Sequence, residues 1–215
     1  RPVLRGRDIK RFGYDFADLY IIATFPSLKI DIEQYPAVKQ HLLSFGYDRL
    51  KQTGEAGARK KTNNKWFETQ DSIGYWEDFS KQKIVWGNLN LKASYTIAPE
   101  GVYVNAPCPM IVPASNYLLG ILNSKIADYY IRSLGVTRNG GYFEYKPMFI
   151  EQLPVPISTK ENVLKIEEFV NVIDDFLKIS GKEHYHKNES ILNQYVYNLY
   201  DLSEDEVKFI ENYSL

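Results

Sequence analysis

The segment Arg5-Gly6-Arg7-Asp8-Ile9-Lys10-Arg11 sets four cationic side chains within seven residues. A guanidinium can grip a phosphate, or the O6/N7 edge of guanine, through two parallel hydrogen bonds, which an ammonium point charge does poorly. Gly6 would let the backbone come close to a phosphate. The ordinary alternative is an exposed terminal stretch with incidental charge. A second basic stretch, Arg59-Lys60-Lys61 with Asn63, Asn64 and Lys65, belongs to a glycine-bearing segment (Lys51 to Asn64) without apolar periodicity. This predicts a mobile surface loop, able to order on a duplex and contact phosphates, or simply a solvated charge run. Asn88, Asn90 and Lys92 follow Trp86-Gly87. An Asn amide matches the N6/N7 edge of adenine, although it also caps its own backbone in polar turns. Arg138 and Asn139 lie in the glycine-rich run Thr137–Gly141, which would equally serve as a plain helix-to-strand connection. Together these are four basic or polar loops, and loops on a rigid scaffold are where recognition sits.

Other chemistry is thinly represented. No G-x-S-x-G, Walker A or G-x-G-x-x-G pattern occurs. The Asn-Pro-Pro-aromatic motif that would hold a flipped adenine is missing, and Ala106-Pro107-Cys108-Pro109 does not replace it. His184-x-His186 and His41 lack the Cys or carboxylate spacing of a metal site, so a solvated turn is expected for the pair. Glu206-x-Lys208 resembles the tail of a metal-dependent nuclease motif, but Glu206 also completes the capping box Ser203-x-x-Glu206. Trp66 and Trp86 are expected in the core. The chain is therefore expected to hold no catalytic site, metal or cofactor of its own.

The elements that must position these loops follow from pattern. Tyr20 to Phe25 predicts a strand, and Tyr35 to about Leu50 a helix with Val38, His41, Leu42 and Phe45 on one face. β character follows from Lys65 to Pro113, with strands at Lys83–Trp86, Ala93–Ile97, Val102–Val104 and Met110–Pro113. Pro99-Glu100-Gly101 reads as a hairpin turn. Ser115 should cap one helix running to about Leu134, with Gly135 as its stop. Gly140–Phe143 opens a strand or loop leading to Leu153-Pro154-Val155-Pro156, where a domain boundary is expected. Helices follow: Val163, Ile166, Val170, Ile173 and Leu177 form a heptad-like seam. Ser190–Tyr200 predicts a second helix, and Ser203 caps a third. The expectation is an α+β fold: a mixed, mainly antiparallel sheet domain with flanking helices over 1–157, then a C-terminal helical subdomain over 158–215.

Charge is uneven along the chain. Residues 1–66 carry 13 Lys and Arg against 7 Asp and Glu, while 158–215 carry 6 against 12. A basic front and acidic back suggest that one end faces a polyanion while the acidic helices face away from it. The lone Cys108 permits no internal disulfide and suits an intracellular, cytoplasmic protein. No run of about 18 apolar residues suggests a membrane span. The chain begins at Arg1 and its two methionines, Met110 and Met148, are internal. Further sequence is therefore expected upstream.

The order of these pieces resembles the C-terminal specificity domain of TaqI-like and Eco57I-like enzymes. Leu4–Arg11 is similar to that domain's opening motif, and Lys65-Trp66-Phe67-Glu68 followed by Lys83-Ile84-Val85-Trp86 looks like its central strands. Leu119-Gly120-Ile121-Leu122-Asn123-Ser124-Lys125 resembles its helix start, and Phe149-Ile150-Glu151-Gln152-Leu153-Pro154-Val155-Pro156 its closing motif. The likeness implies a target-recognition domain of a type IIG restriction–modification protein, binding double-stranded DNA. Methyltransferase and nuclease domains of the same polypeptide would use S-adenosylmethionine and Mg. Residue chemistry then nominates Arg5, Arg7, Lys10 and Arg11, with Arg59, Lys60, Lys61 and Lys65, as phosphate contacts. Asn88, Asn90, Lys92, Arg138 and Asn139 would enter the major groove. Three alternatives stand beside this. One is the specificity part of a phage-defence adenine methyltransferase without a nuclease. Another is an interaction module docking a partner helix on the 163–177 seam. The third is an independent nuclease.

Overall fold

The computed structural model describes residues 1–179 and 185–213. The chain divides into two compact units, one of residues 21–78 with Arg1, the other of residues 2–20 with 79–215.

The smaller unit is built mainly of turns. The strand expected at Tyr20–Phe25 does not form: Tyr20 makes only an isolated bridge to Pro2 within the larger unit. Thr24 instead turns its hydroxyl to Phe67 O at 2.8 Å. The long helix expected from Tyr35 is two short ones, α1 (Pro36–Leu43) and α2 (Tyr47–Leu50). Gly46, at φ 92°, breaks the run, and no residue of α1 is buried. Its expected apolar face therefore packs little, with Phe45 half exposed. Lys65–Glu68 is a turn rather than a strand, because Lys65 N donates to the Glu68 carboxylate at 2.7 Å and Glu68 N to Lys65 O at 3.0 Å.

The larger unit holds the strands. β1 (Val3–Leu4) runs parallel to β7 (Tyr103–Val104), and β2 (Ile9–Lys10) pairs antiparallel with β3 (Gly13–Tyr14). β4 (Lys83–Trp86) is the centre of an antiparallel sheet between β6 (Tyr95–Ala98) and β8 (Met110–Ile111). β5 (Leu89–Asn90) pairs antiparallel with β9 (Phe143–Glu144). The fold is α+β, mixed and mainly antiparallel, as expected. The hairpin expected around Pro99–Gly101 is a turn without a hairpin. Gly101, at φ 75°, donates to Phe79 O, and the chain leaves β6 to join β1 instead.

Alternation along β4 explains its central place. Ile84 and Trp86 enter a large core with the helices, while Val85 enters a second core with Leu4, Ile9 and Ala98. Lys83 is fully buried too; its Nζ donates to the carbonyls of Phe79, Lys81 and Pro99 at 2.9, 2.8 and 3.0 Å. Burial pulls the Lys83 pKa down to about 8. Below that pH folded and unfolded chains both hold the proton. From 8 to the unfolded value near 10.5 the unfolded chain holds more, so stability rises with pH. Relative to Lys83→Met, the native protein should gain about 1–2 kcal/mol between pH 8 and 10 in denaturant titrations. A pH-independent difference would contradict the assignment.

Helices cover the large core. The single helix expected from Ser115 is two: α3 (Asn116–Leu122), capped by Ser115, and α4 (Lys125–Ser133), capped by Ser124. Asn123 forces the break. Its amide is wholly buried and takes both backbone groups of Tyr95, accepting from N and donating to O at 3.0 Å each. A short helix α5 (Pro147–Ile150) leads to α6 (Lys160–Ile179), α7 (Tyr185–Leu199) and α8 (Glu204–Asn212). The capping box of Ser203 and Glu206 is formed.

Ile166, Val170 and Ile173 of α6 are buried in the same core as Leu119 and Leu122. The seam expected at 163–177 is thus internal, which removes the exposed stripe that an interaction module would need. The core also runs across the boundary expected at 157, since the helices after it complete the burial of α3. Among the described residues no helix is long and apolar enough to cross a membrane.

Candidate nucleic-acid interface

Two segments nominated from sequence meet backbone to backbone. A Cβ built on Gly87 would lie 3.3 Å from Gly6 O and 3.4 Å from Gly6 Cα. Gly6 therefore serves an internal approach to Gly87 while also lining the groove. The juncture forms the floor of a groove of about 1220 Å³. Arg7, Lys10 and Arg11 line it on the β2–β3 side, and Asn88, Asn90 and Lys92 on the β5 side.

Arg5 does not line the groove. Its guanidinium is held by Asp8 at 2.9 and 2.8 Å, and Arg5 N donates to the same carboxylate. The Arg5 guanidinium accordingly brings the Asp8 pKa down to about 2. Arg11 reaches the groove but is committed inward, to the Glu189 carboxylate, Asn123 O and, at 3.0 Å, Ala93 O. Lys10 Nζ donates to Arg7 O at 2.5 Å and lies 3.9 Å from Asp15. Asn90 donates its amide to Gly87 O at 2.7 Å, the local cap that the polar-turn alternative anticipated. Arg7 and Lys92 are exposed, and neither has an ion pair or side-chain hydrogen bond among the described residues.

The β5 wall is fixed from behind by a buried network. Arg132 Nε donates to Asp128 Oδ1 at 3.3 Å and to Tyr145 Oη at 3.0 Å, and its Nη2 to Leu91 O. Tyr145 in turn donates to Asp128 Oδ1 at 2.7 Å, and Trp86 Nε1 donates to Tyr145 O at 2.7 Å. Burial, followed by the Asp128 charge, keeps the Tyr145 phenol protonated far above its usual range.

The other nominated residues lie elsewhere. Arg138 and Asn139 are exposed beside the groove residue Tyr142, and Arg138 shares Glu144 with Lys146 at 3.1 and 2.8 Å. The Lys146 and Arg138 hydrogen bonds lower the Glu144 pKa.

Arg59, Lys60, Lys61 and Lys65 belong to the smaller unit. Arg59 is a structural pin, donating to Leu50 O at 2.7 Å and Trp66 O at 2.5 Å. The loop expected to lack structure is thereby sewn to Gln52, which takes Thr62 at 2.6 Å and donates to Glu68 O at 2.8 Å. Lys60, Lys61 and Lys65 remain exposed.

Several groove residues escaped the sequence. Asp174 and Lys178 come from α6, the helix whose acidity suggested that it faces away, and Asp15, Cys108 and Tyr142 also line the walls. Burial raises the Cys108 pKa to about 11, leaving a neutral thiol there. The i, i+4 spacing of Asp174 and Lys178 was visible, but nothing local said which surface it joined. Among the described residues no three His, Cys, Asp or Glu side chains are placed to share a metal ion. His184 lies outside the described residues.

The family model of the TaqI-like C-terminal specificity domain matches residues 1–155. The chain belongs to this family. No curated protein matches the sequence. Membership makes this specificity domain a sequence-specific DNA-recognition module of restriction–modification systems. The groove lies within the matched residues except for its α6 wall, which the specificity domain takes from the helices beyond 155.

Proposed function

We propose that this specificity domain is the target-recognition part of a type IIG restriction–modification protein acting in the cytoplasm. An adenine-N6 methyltransferase and a nuclease domain would sit on the same polypeptide. S-adenosylmethionine and Mg would belong to those domains, and the chain itself would be non-catalytic. The reading is supported most by the convergence of the Arg5–Arg11 and Asn88–Lys92 segments on one groove of about 1220 Å³.

In this reading Arg7 and Lys92, without internal partners, meet phosphates. Asn88 presents an amide to a base, while Asn90 offers chiefly its carbonyl oxygen, one of its two N–H groups being already engaged by Gly87 O. Arg5, Arg11 and Arg59 shape the surface instead of touching DNA. Lys60, Lys61, Lys65, Arg138 and Asn139 remain proposed contacts.

The test is duplex binding by the chain and by Arg7→Ala/Lys92→Ala at several salt concentrations. Removing two phosphate contacts should flatten the slope of log K against log salt by about 2 and weaken binding at least tenfold near 0.1 M. An unchanged slope with full affinity would take the groove out of the interface.

A further inference from the structure

The groove carries carboxylates that a simple phosphate cradle would omit. Five cations line it (Arg7, Lys10, Arg11, Lys92 and Lys178), together with Asp15 and Asp174. Asp15 stands 3.9 Å from Lys10, and Asp174 accepts from Lys178 at 2.5 Å. Arg11 is taken by Glu189. Three of the five cations are therefore already matched by carboxylates, leaving Arg7 and Lys92.

Stability does not account for the Asp15 and Asp174 pairs. The side chains of Lys10 and Asp15 are 42% and 75% exposed, and those of Lys178 and Asp174 65% and 44%. Exposed ion pairs of this kind contribute little to folding. Near a duplex they act differently. When a lysine neutralises a phosphate, the mobile cation condensed on that phosphate is released, and that release drives sequence-independent binding. A tethered carboxylate cannot leave, so it stays and repels the phosphate. Specificity is a difference of affinities, and it gains from a repulsive element aimed at the unwanted mode.

We infer that Asp15 and Asp174 are specificity-determining residues that hold down non-specific phosphate binding in the groove, so that tight binding depends on base contacts. The inference rests on the groove being the DNA interface.

The experiment compares the chain, Asp15→Asn/Asp174→Asn and Arg7→Ala/Lys92→Ala on a mixed-sequence duplex over a salt series. Thermal unfolding of each variant verifies the fold. The Asn variant should bind several-fold more tightly at 0.1 M, with a salt slope steeper by about 1–2. If Arg7→Ala/Lys92→Ala loses binding while the Asn variant matches the parent in slope and affinity, the carboxylate role is overturned and the groove stands. If neither variant differs from the parent, or the parent binds no duplex at low salt, both the groove and the carboxylate role are overturned.

Discussion

Replacing Arg132 with methionine should lower the unfolding free energy by about 3–5 kcal/mol, because an unpaired buried carboxylate is left behind. Arg132 and Asp128 have side chains only 3% and 8% exposed, and the guanidinium also lies 5.6 Å from the Phe143 and Tyr145 ring centres. Methionine keeps volume but none of the donors to Asp128, Tyr145 and Leu91. At this chain length a loss of that size corresponds to roughly 10 °C in melting temperature. Asp128→Asn in the same background should restore part of it, since the stranded charge is the main cost. Calorimetry of the two variants decides: a single-variant loss under about 1 kcal/mol would mean that the pair is dispensable. Duplex binding should also weaken in the single variant at temperatures where it stays folded. Leu91 O then loses its anchor, and the Asn88–Lys92 wall loosens.

The second large effect concerns Gly120. A Cβ there would fall 2.7 Å from Ile166 Cγ2 and 3.2 Å from Val170 Cγ2. Both neighbours are buried and β-branched, so they have little freedom to rotate away. Gly120→Ala should cost about 1–3 kcal/mol through overpacking, outweighing the helix propensity that alanine brings. Ile166→Ala alone should cost about 2–5 kcal/mol. The two changes together should cost less than their sum by about 1 kcal/mol or more, as the new methyl enters space the isoleucine vacated. Additive losses in urea titrations would show that α3 and α6 do not meet at this point.

Legibility in the sequence followed the range of the interactions involved. Ser115, Ser203 and Glu206 were readable because a cap is settled within four residues. Strand β4 was readable because apolar β-formers on both faces leave it few other fates. The α3–α4 break was not, since Asn123 answers to Tyr95, 28 residues away. β7 was assigned to the wrong partner for a similar reason: its pairing with β1 joins Val3 to Tyr103, far apart in the sequence. In the groove, residue type identified the segments around Arg7 and Lys92 but could not separate free cations from committed ones. Arg5, Arg7 and Arg11 look alike in sequence. Only Asp8 and Glu189 make two of them structural.

The buried amide of Asn123 has a consequence for how the chain behaves in company. β6 flanks β4 on one side only, and an outer strand with unpaired backbone groups is a template for another molecule's strand. At Tyr95 that template is already occupied, by the Asn123 amide on both groups and by Phe12 N, which also donates to Tyr95 O at 2.9 Å. The side chain imitates a neighbouring strand one residue long. Asn123→Leu would leave Tyr95 N without its acceptor inside the core, with Tyr95 O still held by Phe12 N, and its characteristic failure would be a loosened β6 rim and lower stability.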